Sequence, residues 1–397
     1  MQFMEEKMRQ DRIRFQVPSV CGERLCGYAE SFRELARSFE KKEPPKGLDR
    51  RSFFEEERLR ENCGVIARHL MELADIMDQT AEEMTGLEPL EEKIWRRLLQ
   101  KMRGKGLIME GACRMPLGGK SGKIGQITLC LRTDREGGIP AREAEEILSS
   151  VLGKKYCLSL MAKERIVQEA NFFLYVEEPV FVAFTGFARV IKAREEISGD
   201  NYSILQSERG TVTLLLSDGT GSGEKACAGS GWVLDLMEQL LEMGYCPETA
   251  LKMVNATAVT KGEEVGHPTL DACRMNLSTG ECYFYKAGGA VSFWKHGENV
   301  EVIPGGQLPL GIFQDLEPQR GYERLREGDS IILLTDGVLE AFREKGYEMA
   351  VQECLAGMEE MSPREMAEKL MQLAIFASEG NIRDDMTILV ATLWKNP

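Results

Sequence analysis

Only three histidines occur in 397 residues, at positions 69, 267 and 296. A Cys/His zinc site or a three-histidine site is therefore not expected, and any metal chemistry has to rest on carboxylates. No apolar run approaches the ~18 residues of a membrane-spanning helix. The N-terminal stretch Met1-Gln2-Phe3-Met4-Glu5-Glu6-Lys7 lacks a signal-peptide core, so the chain is expected to be soluble. No C-x-x-C pair occurs among the 11 cysteines. Their odd number and scatter read as reduced thiols of a cytoplasmic protein and not as a disulfide framework. Cys21 and Cys26 have the spacing of half a metal site, with no second pair near them. Positive charge is also short: 50 Lys and Arg against 64 Asp and Glu leave −14, which argues against nucleic-acid binding.

What remains is an ordinary globular composition in a chain long enough for two or three domains. Residues 1–52 read as an N-terminal segment of little signal and a linker, charged and carrying Pro44 and Pro45. Residues 53–87 read as one long helix: Leu59, Cys63, Ile66, Leu70, Leu73 and Met77 recur at heptad steps, before Gly86 and Pro89. Two readings stay open, a face packed within its own domain or a homodimer through 53–86. Residues 88–170 alternate helix and strand in the order α-β-β-α-β, a small α+β regulatory unit. Within it, Gly118-Gly119-Lys120-Ser121 lacks the first glycine of a phosphate loop, where Arg114 stands, so it reads as a hairpin loop. From 171 to 397 strand-like runs dominate, with helical blocks near 226–243, 247–258 and 362–377. The runs 211–216 and 331–334 are apolar on both faces and predict central strands.

Two aspartates close such strands and are followed by glycine, Asp218-Gly219 and Asp336-Gly337. Asp200 lies in Ser198-Gly199-Asp200-Asn201. Asp384 lies in Asp384-Asp385-Met386-Thr387, ahead of the last strand. An acid at the end of a buried strand is costly to desolvate unless a cation compensates it. Several such acids converging from separate strands form the oxygen-only shell that Mg²⁺ or Mn²⁺ prefers. One Asp-Gly pair alone would be an ordinary turn.

The ordered set Ser198-Gly-Asp-Asn-Tyr202, Ser217-Asp-Gly-Thr-Gly-Ser-Gly223, Leu308-Pro-Leu-Gly-Ile312, Thr335-Asp-Gly-Val338 and Asp384-Asp-Met-Thr387 resembles the PPM-type, metal-dependent serine/threonine phosphatases. Within them it is similar to the bacterial SpoIIE branch. The resemblance implies an α/β (α+β) fold, a two-layer β-sandwich flanked by helices, with two Mn²⁺ or Mg²⁺ ions at one end. By motif, Asp218 would bridge both ions, the Gly219 carbonyl would ligate one, and Asp336 and Asp384 would complete the other. Asp200 would hold the metal-activated water, so Asp200 and Asp218 carry the catalysis. Asp385 is not counted a direct ligand. Lys192 and Arg194 are the candidates for holding the substrate phosphate. The implied partner is a phosphorylated anti-sigma-factor antagonist in sporulation control, and relatives are membrane-tethered.

Thr220 stands where relatives often carry methionine. The helix after Gly223 corresponds to one thought to switch the metal site. No cysteine is followed six positions on by arginine, so a cysteine phosphatase is excluded. The glycines after Asp218 do not have dinucleotide-fold spacing. The alternative function is a non-catalytic signalling scaffold of phosphatase fold.

Overall fold

The computed structural model describes residues 16–39, 50–85, 88–115, 125–159, 162–207, 210–313, 316–343, 346–359 and 361–396. The Gly118–Ser121 loop, Gly86 and the side chain of Cys21 lie outside them. The chain divides into two units, Met1–Glu178 and Pro179–Pro397.

The first unit begins with α1 (Gln16–Phe39) packed on α2 (Arg50–Thr85). Their buried residues are alanines seven apart: Ala29 and Ala36 on α1, Ala67, Ala74 and Ala81 on α2. Small side chains let two helices approach closely, and a seven-residue step keeps them on one seam. Arg33 of α1 reaches Asp75 at 2.9 Å and Asp78 at 2.6 Å. The leucine-type stripe that predicted the long helix is not this seam, since Leu59 and Ile66 stay exposed. The helix itself is present. Sequence reasoning did not single out its partner α1, whose buried positions among the described side chains are Ala29 and Ala36.

There follow β1 (Glu88–Pro89), α3 (Glu92–Gly104), β2 (Ile108–Met115), β3 (Gln126–Arg132), β4 (Ile139–Pro140), α4 (Glu143–Leu152), β5 (Tyr156–Leu158), β6 (Arg165–Ile166) and β7 (Asn171–Glu177). A five-stranded antiparallel sheet, β1-β2-β3-β7-β5, buries Leu129, Leu131, Phe173 and Tyr175 in one core with Leu98 and Met102 of α3 and Leu148 of α4. The Tyr175 hydroxyl donates to Ala141 O at 3.0 Å. Strand β7 pairs with both β3 and β5, so it completes the first unit's sheet, and this unit runs to Glu178.

The second unit runs β8 (Phe181–Val190), β9 (Asp200–Ser207), β10 (Thr211–Asp218), α5 (Gly223–Glu242), α6 (Pro247–Lys261), β11 (Leu270–Asn276), β12 (Glu281–Ala287), β13 (Ser292–His296), β14 (Asn299–Ile303), β15 (Gln319–Arg324), β16 (Ser330–Leu334), α7 (Asp336–Ala341), α8 (Tyr347–Ala356), α9 (Pro363–Ala377) and β17 (Met386–Lys395). Two five-stranded antiparallel sheets form, β15-β12-β11-β10-β9 and β14-β13-β16-β17-β8. Strand periodicity assigns their faces. Leu214, Leu216, Ile331, Leu333, Leu389 and Ala391 share the core between the sheets. The alternate residues Ile332, Leu334, Ile388 and Val390 join a second core with α7, α8 and α9. That is why 331–334 is apolar at every position, and the two-layer sandwich flanked by helices is the observed fold.

Helix α9 starts at a capping box, in which Ser362 and Glu365 satisfy each other's backbone N–H groups. It packs so tightly on β8 that a Cβ at Gly186 would lie 2.2 Å from Arg364 N. Replacing Gly186 by alanine is expected to cost about 1–3 kcal/mol through overpacking, read as a lowered urea midpoint with unchanged m-value. An unchanged midpoint would contradict this packing.

Candidate active site

The acids singled out in the sequence meet at one end of the sandwich. Asp200 and Asp218 are direct partners across the β9–β10 ladder, so their side chains share a face. Asp336 starts α7 immediately after β16, and Asp384 precedes β17, the strand paired with β16. A cavity of about 70 Å³ lies among Leu216, Asp218, Thr269, Asp271, Gly288, Ala290, Leu334, Thr335 and Asp336.

Each acid is held from its own backbone neighbourhood. Asp218 N donates to Thr269 Oγ1 at 3.1 Å, and Thr269 N donates to Asp218 O at 2.8 Å. Asp200 is 1 % exposed. Its Oδ2 accepts from Thr335 Oγ1 at 2.9 Å, while its Oδ1 is buried with no hydrogen-bond partner. Thr335 in turn accepts from Thr387 N at 2.9 Å, which ties β16 to β17 beneath the acids. Asp385 braces the backbone, its carboxylate accepting from Lys192 N at 2.9 Å and Gly199 N at 2.7 Å.

Two glycines in the motifs are required by close approach. A Cβ at Gly219 would lie 2.1 Å from Ala226 O in the first turns of α5, and one at Gly337 would lie 2.2 Å from Asp385 O. Helix α5 is also tied to the Gly199–Asn201 segment. Ser230 Oγ donates to Gly199 O, and Asn201 Nδ2 donates to Ser230 Oγ at 2.9 Å and Cys227 O at 3.1 Å. Thr220 fixes the other side of the loop, donating to His267 O at 2.7 Å and accepting from His267 N at 3.1 Å. The Leu308–Ile312 motif joins this side as well: Leu310 N donates to Pro268 O at 3.0 Å, and Gly311 N to Asn255 Oδ1 at 2.9 Å.

The crowding of acids shows in their proton affinities. Burial first, then Asp200, Asp336 and Asp384, push Asp218 up to about 9. Burial pushes Asp200 up to about 6, and burial with Asp384 raises Asp336. Carboxylates that crowd together out of water keep protons in place of a missing positive charge. The donor set is all oxygen, which fits Mg²⁺ or Mn²⁺. Among the described residues, no three His, Cys, Asp or Glu side chains already stand as a finished ion-binding group. The aspartates would have to turn inward to share an ion. Of the phosphate candidates, Lys192 Nζ lies 3.9 Å from Asp384 Oδ1 at the rim. Arg194 has a left-handed backbone, φ 74°, in the following turn.

Sequence reasoning missed Asp271 and Lys286, both buried, together with the threonines Thr269 and Thr335. The available signal was a charge inside each of two otherwise strand-like runs.

The proton affinities fix a pH dependence for the metal-free chain. Unfolded aspartate loses its proton near pH ~4, whereas folded Asp200 and Asp218 keep theirs to about 6 and about 9. Between those limits the folded state binds more protons, so stability falls as pH rises. Scanning calorimetry in EDTA from pH 5 to 9 is expected to give a falling Tm, with a shallower fall when Mn²⁺ is present. A rising Tm in EDTA would contradict the clustering.

Residues 208–394 match the family model described as stage II sporulation protein E (SpoIIE), a span that holds Asp218, Gly219, Asp336 and Asp384 and begins after Asp200. The stage II sporulation protein E of Priestia megaterium is 33 % identical over 217 residues, 54 % of this chain and 37 % of its own length. The phosphoserine phosphatase RsbU of Bacillus subtilis is 23 % identical over 204 residues, 49 % of this chain and 59 % of its own length. The chain therefore spans well under two thirds of either curated relative. The solved PP2C phosphatase domain with a regulatory-domain fragment of SpoIIE from Bacillus subtilis superposes with a TM-score of 0.60 at 22 % identity. That likeness covers 88 % of this chain and 99 % of the solved one, and it bears on the fold. Over residues 208–394 the second unit is thus similar in sequence to stage II sporulation protein E, and its fold is that of the solved PP2C phosphatase domain.

Proposed function

We propose that the chain is a divalent-metal-dependent protein phosphatase acting on phosphoserine or phosphothreonine. The observation that carries this reading is the convergence of Asp200, Asp218, Asp336 and Asp384, in which desolvation and neighbouring carboxylates raise the proton affinity of Asp200, Asp218 and Asp336. Asp218, the Gly219 carbonyl, Asp336 and Asp384 would hold two Mn²⁺ or Mg²⁺ ions. Bound there, such ions lower the pKa of water and stabilise charge on the phosphoryl oxygens. Asp200, with one oxygen fixed by Thr335 and the other free of partners, is suited to orient the attacking water and accept its proton. Lys192 at the rim is suited to hold the phosphate. The chain needs no nucleophile of its own.

The name phosphoserine phosphatase carried by one relative supports the residue class of the substrate. By the motif resemblance the protein that bears it would be a phosphorylated anti-sigma-factor antagonist, and the name of the sporulation relative supports a setting in sporulation. We place this activity in the cytoplasm, on the cysteine usage. No helix among the described residues is long and apolar enough to cross a membrane. The first unit, 1–178, would regulate the second, with a second copy pairing through the Leu59–Met77 stripe that α1 leaves exposed at Leu59 and Ile66. Regulation would act on α5, because Ala226 O rests on Gly219.

The test is hydrolysis of p-nitrophenyl phosphate and a phosphoserine peptide with Mn²⁺, Mg²⁺ or EDTA, on wild type and Asp218→Asn. The expected result is metal-dependent turnover, lowered at least 100-fold in the variant, in line with the loss of a principal electrostatic group (roughly 10²–10³). Absence of both turnover and calorimetric Mn²⁺ binding would favour the scaffold. Binding without turnover would indicate a phosphatase held off until its partner arrives.

A further inference from the structure

A second charged group lines the same cavity and has no part in the chemistry above. Asp271 in β11 and Lys286 in β12 face each other across the ladder. Their charges meet at 2.9 Å, with side chains 3 % and 1 % exposed. Lys286 Nζ also donates to Ala290 O at 2.6 Å. Ala290 and Gly288 line the cavity, as do Asp271, Asp218 and Asp336. Between them Gly289 sits directly on Asp271, where a Cβ would lie 2.0 Å from Oδ1. That oxygen is buried and has no hydrogen-bond partner. From the far side Gly306 N donates to Gly289 O at 2.9 Å.

A buried ion pair is a poor way to gain stability, because apolar residues of similar volume do as well or better. A pair with one oxygen left unsatisfied is poorer still. What this pair does supply is a fixed distance. The ammonium ties the strand carrying Asp271 to the 288–290 turn. Two residues before Asp271 on the same chain segment, Thr269 holds the backbone of Asp218. The pair therefore sets the spacing between the turn and the strand that anchors Asp218.

We propose that Asp271 and Lys286 are positioning residues of the carboxylate cavity, which set the wall against which Asp218 and Asp336 must turn to take up a divalent cation. This rests on the metal reading given under the proposed function. Neither residue is a ligand in it; both act through the 288–290 turn and Thr269.

The test uses the full chain and calorimetric Mn²⁺ binding at fixed pH, beside Tm and p-nitrophenyl phosphate kinetics. Three changes separate position from charge. Lys286→Met leaves a bare carboxylate, Asp271→Asn leaves a bare ammonium, and Gly289→Ala displaces Asp271 without changing charge. Positioning predicts that all three weaken Mn²⁺ binding at least tenfold, and that the metal concentration for half-maximal rate rises in parallel. Opposite shifts for Lys286→Met and Asp271→Asn, with Gly289→Ala like wild type, would overturn positioning in favour of simple charge. A lower Tm with unchanged Mn²⁺ affinity in all three would overturn it in favour of a purely structural pair. Wild-type chain that binds no Mn²⁺ would overturn the metal reading and this inference with it.

Discussion

The crowding of carboxylates at one end of the sandwich is the constraint that organises the second unit. Asp200 is buried, Asp218 half-buried and Asp336 exposed, and each stands where a strand meets a loop or helix. Such a cluster is unfavourable for folding, so the surrounding structure has to over-determine it. It does so with short-range ties: Thr269 to Asp218, Thr335 to Asp200, and Asp385 to the backbone of Lys192 and Gly199. The apolar layers on both sides of β16 and β17 supply the rigidity on which those ties rely. The raised proton affinity of the cluster is the visible trace of the stress, and a cation is what would relieve it.

Close backbone approach is the second theme. Gly219 lies under Ala226, Gly337 under Asp385 and Gly289 over Asp271, each at a distance that leaves no room for a side chain. These contacts join a helix, a strand entry and a turn to the same few acids. A displacement of any of the three would be passed to the cluster without a flexible side chain to absorb it.

Much of this is legible in the sequence. Asp218-Gly219 and Asp336-Gly337 can be placed at strand ends because 211–216 carries apolar residues on both faces and 331–334 is apolar at every position, as strands buried on both faces require. The central sheet assignments follow from the same runs. The pairing of Asp271 with Lys286 cannot be read, because it depends on the register between β11 and β12, and register is a property of two strands together. The partners of strand β7 cannot be read for a related reason: its alternation marks a strand but says nothing of which neighbours it will find. Helix α1 is legible too, in the 3/4 spacing of Leu25, Tyr28, Phe32, Leu35 and Phe39, but that its seam with α2 falls on Ala29 and Ala36 depends on the partner helix.

The ladder between β9 and β10 constrains how this domain can vary. Asp200 and Asp218 are partners at one end of the ladder, and Ser207 and Thr211 at the other. The connection between Ser207 and Thr211 lies at the end far from the acids, where added length would leave the cluster alone as long as the register is kept. One residue gained or lost within either strand would instead turn Asp200 to the opposite face from Asp218 and separate the two carboxylates. Changes in length are thus tolerable at the turn and ruinous within the strands that flank it. The same ladder makes the two acids inheritable only as a pair.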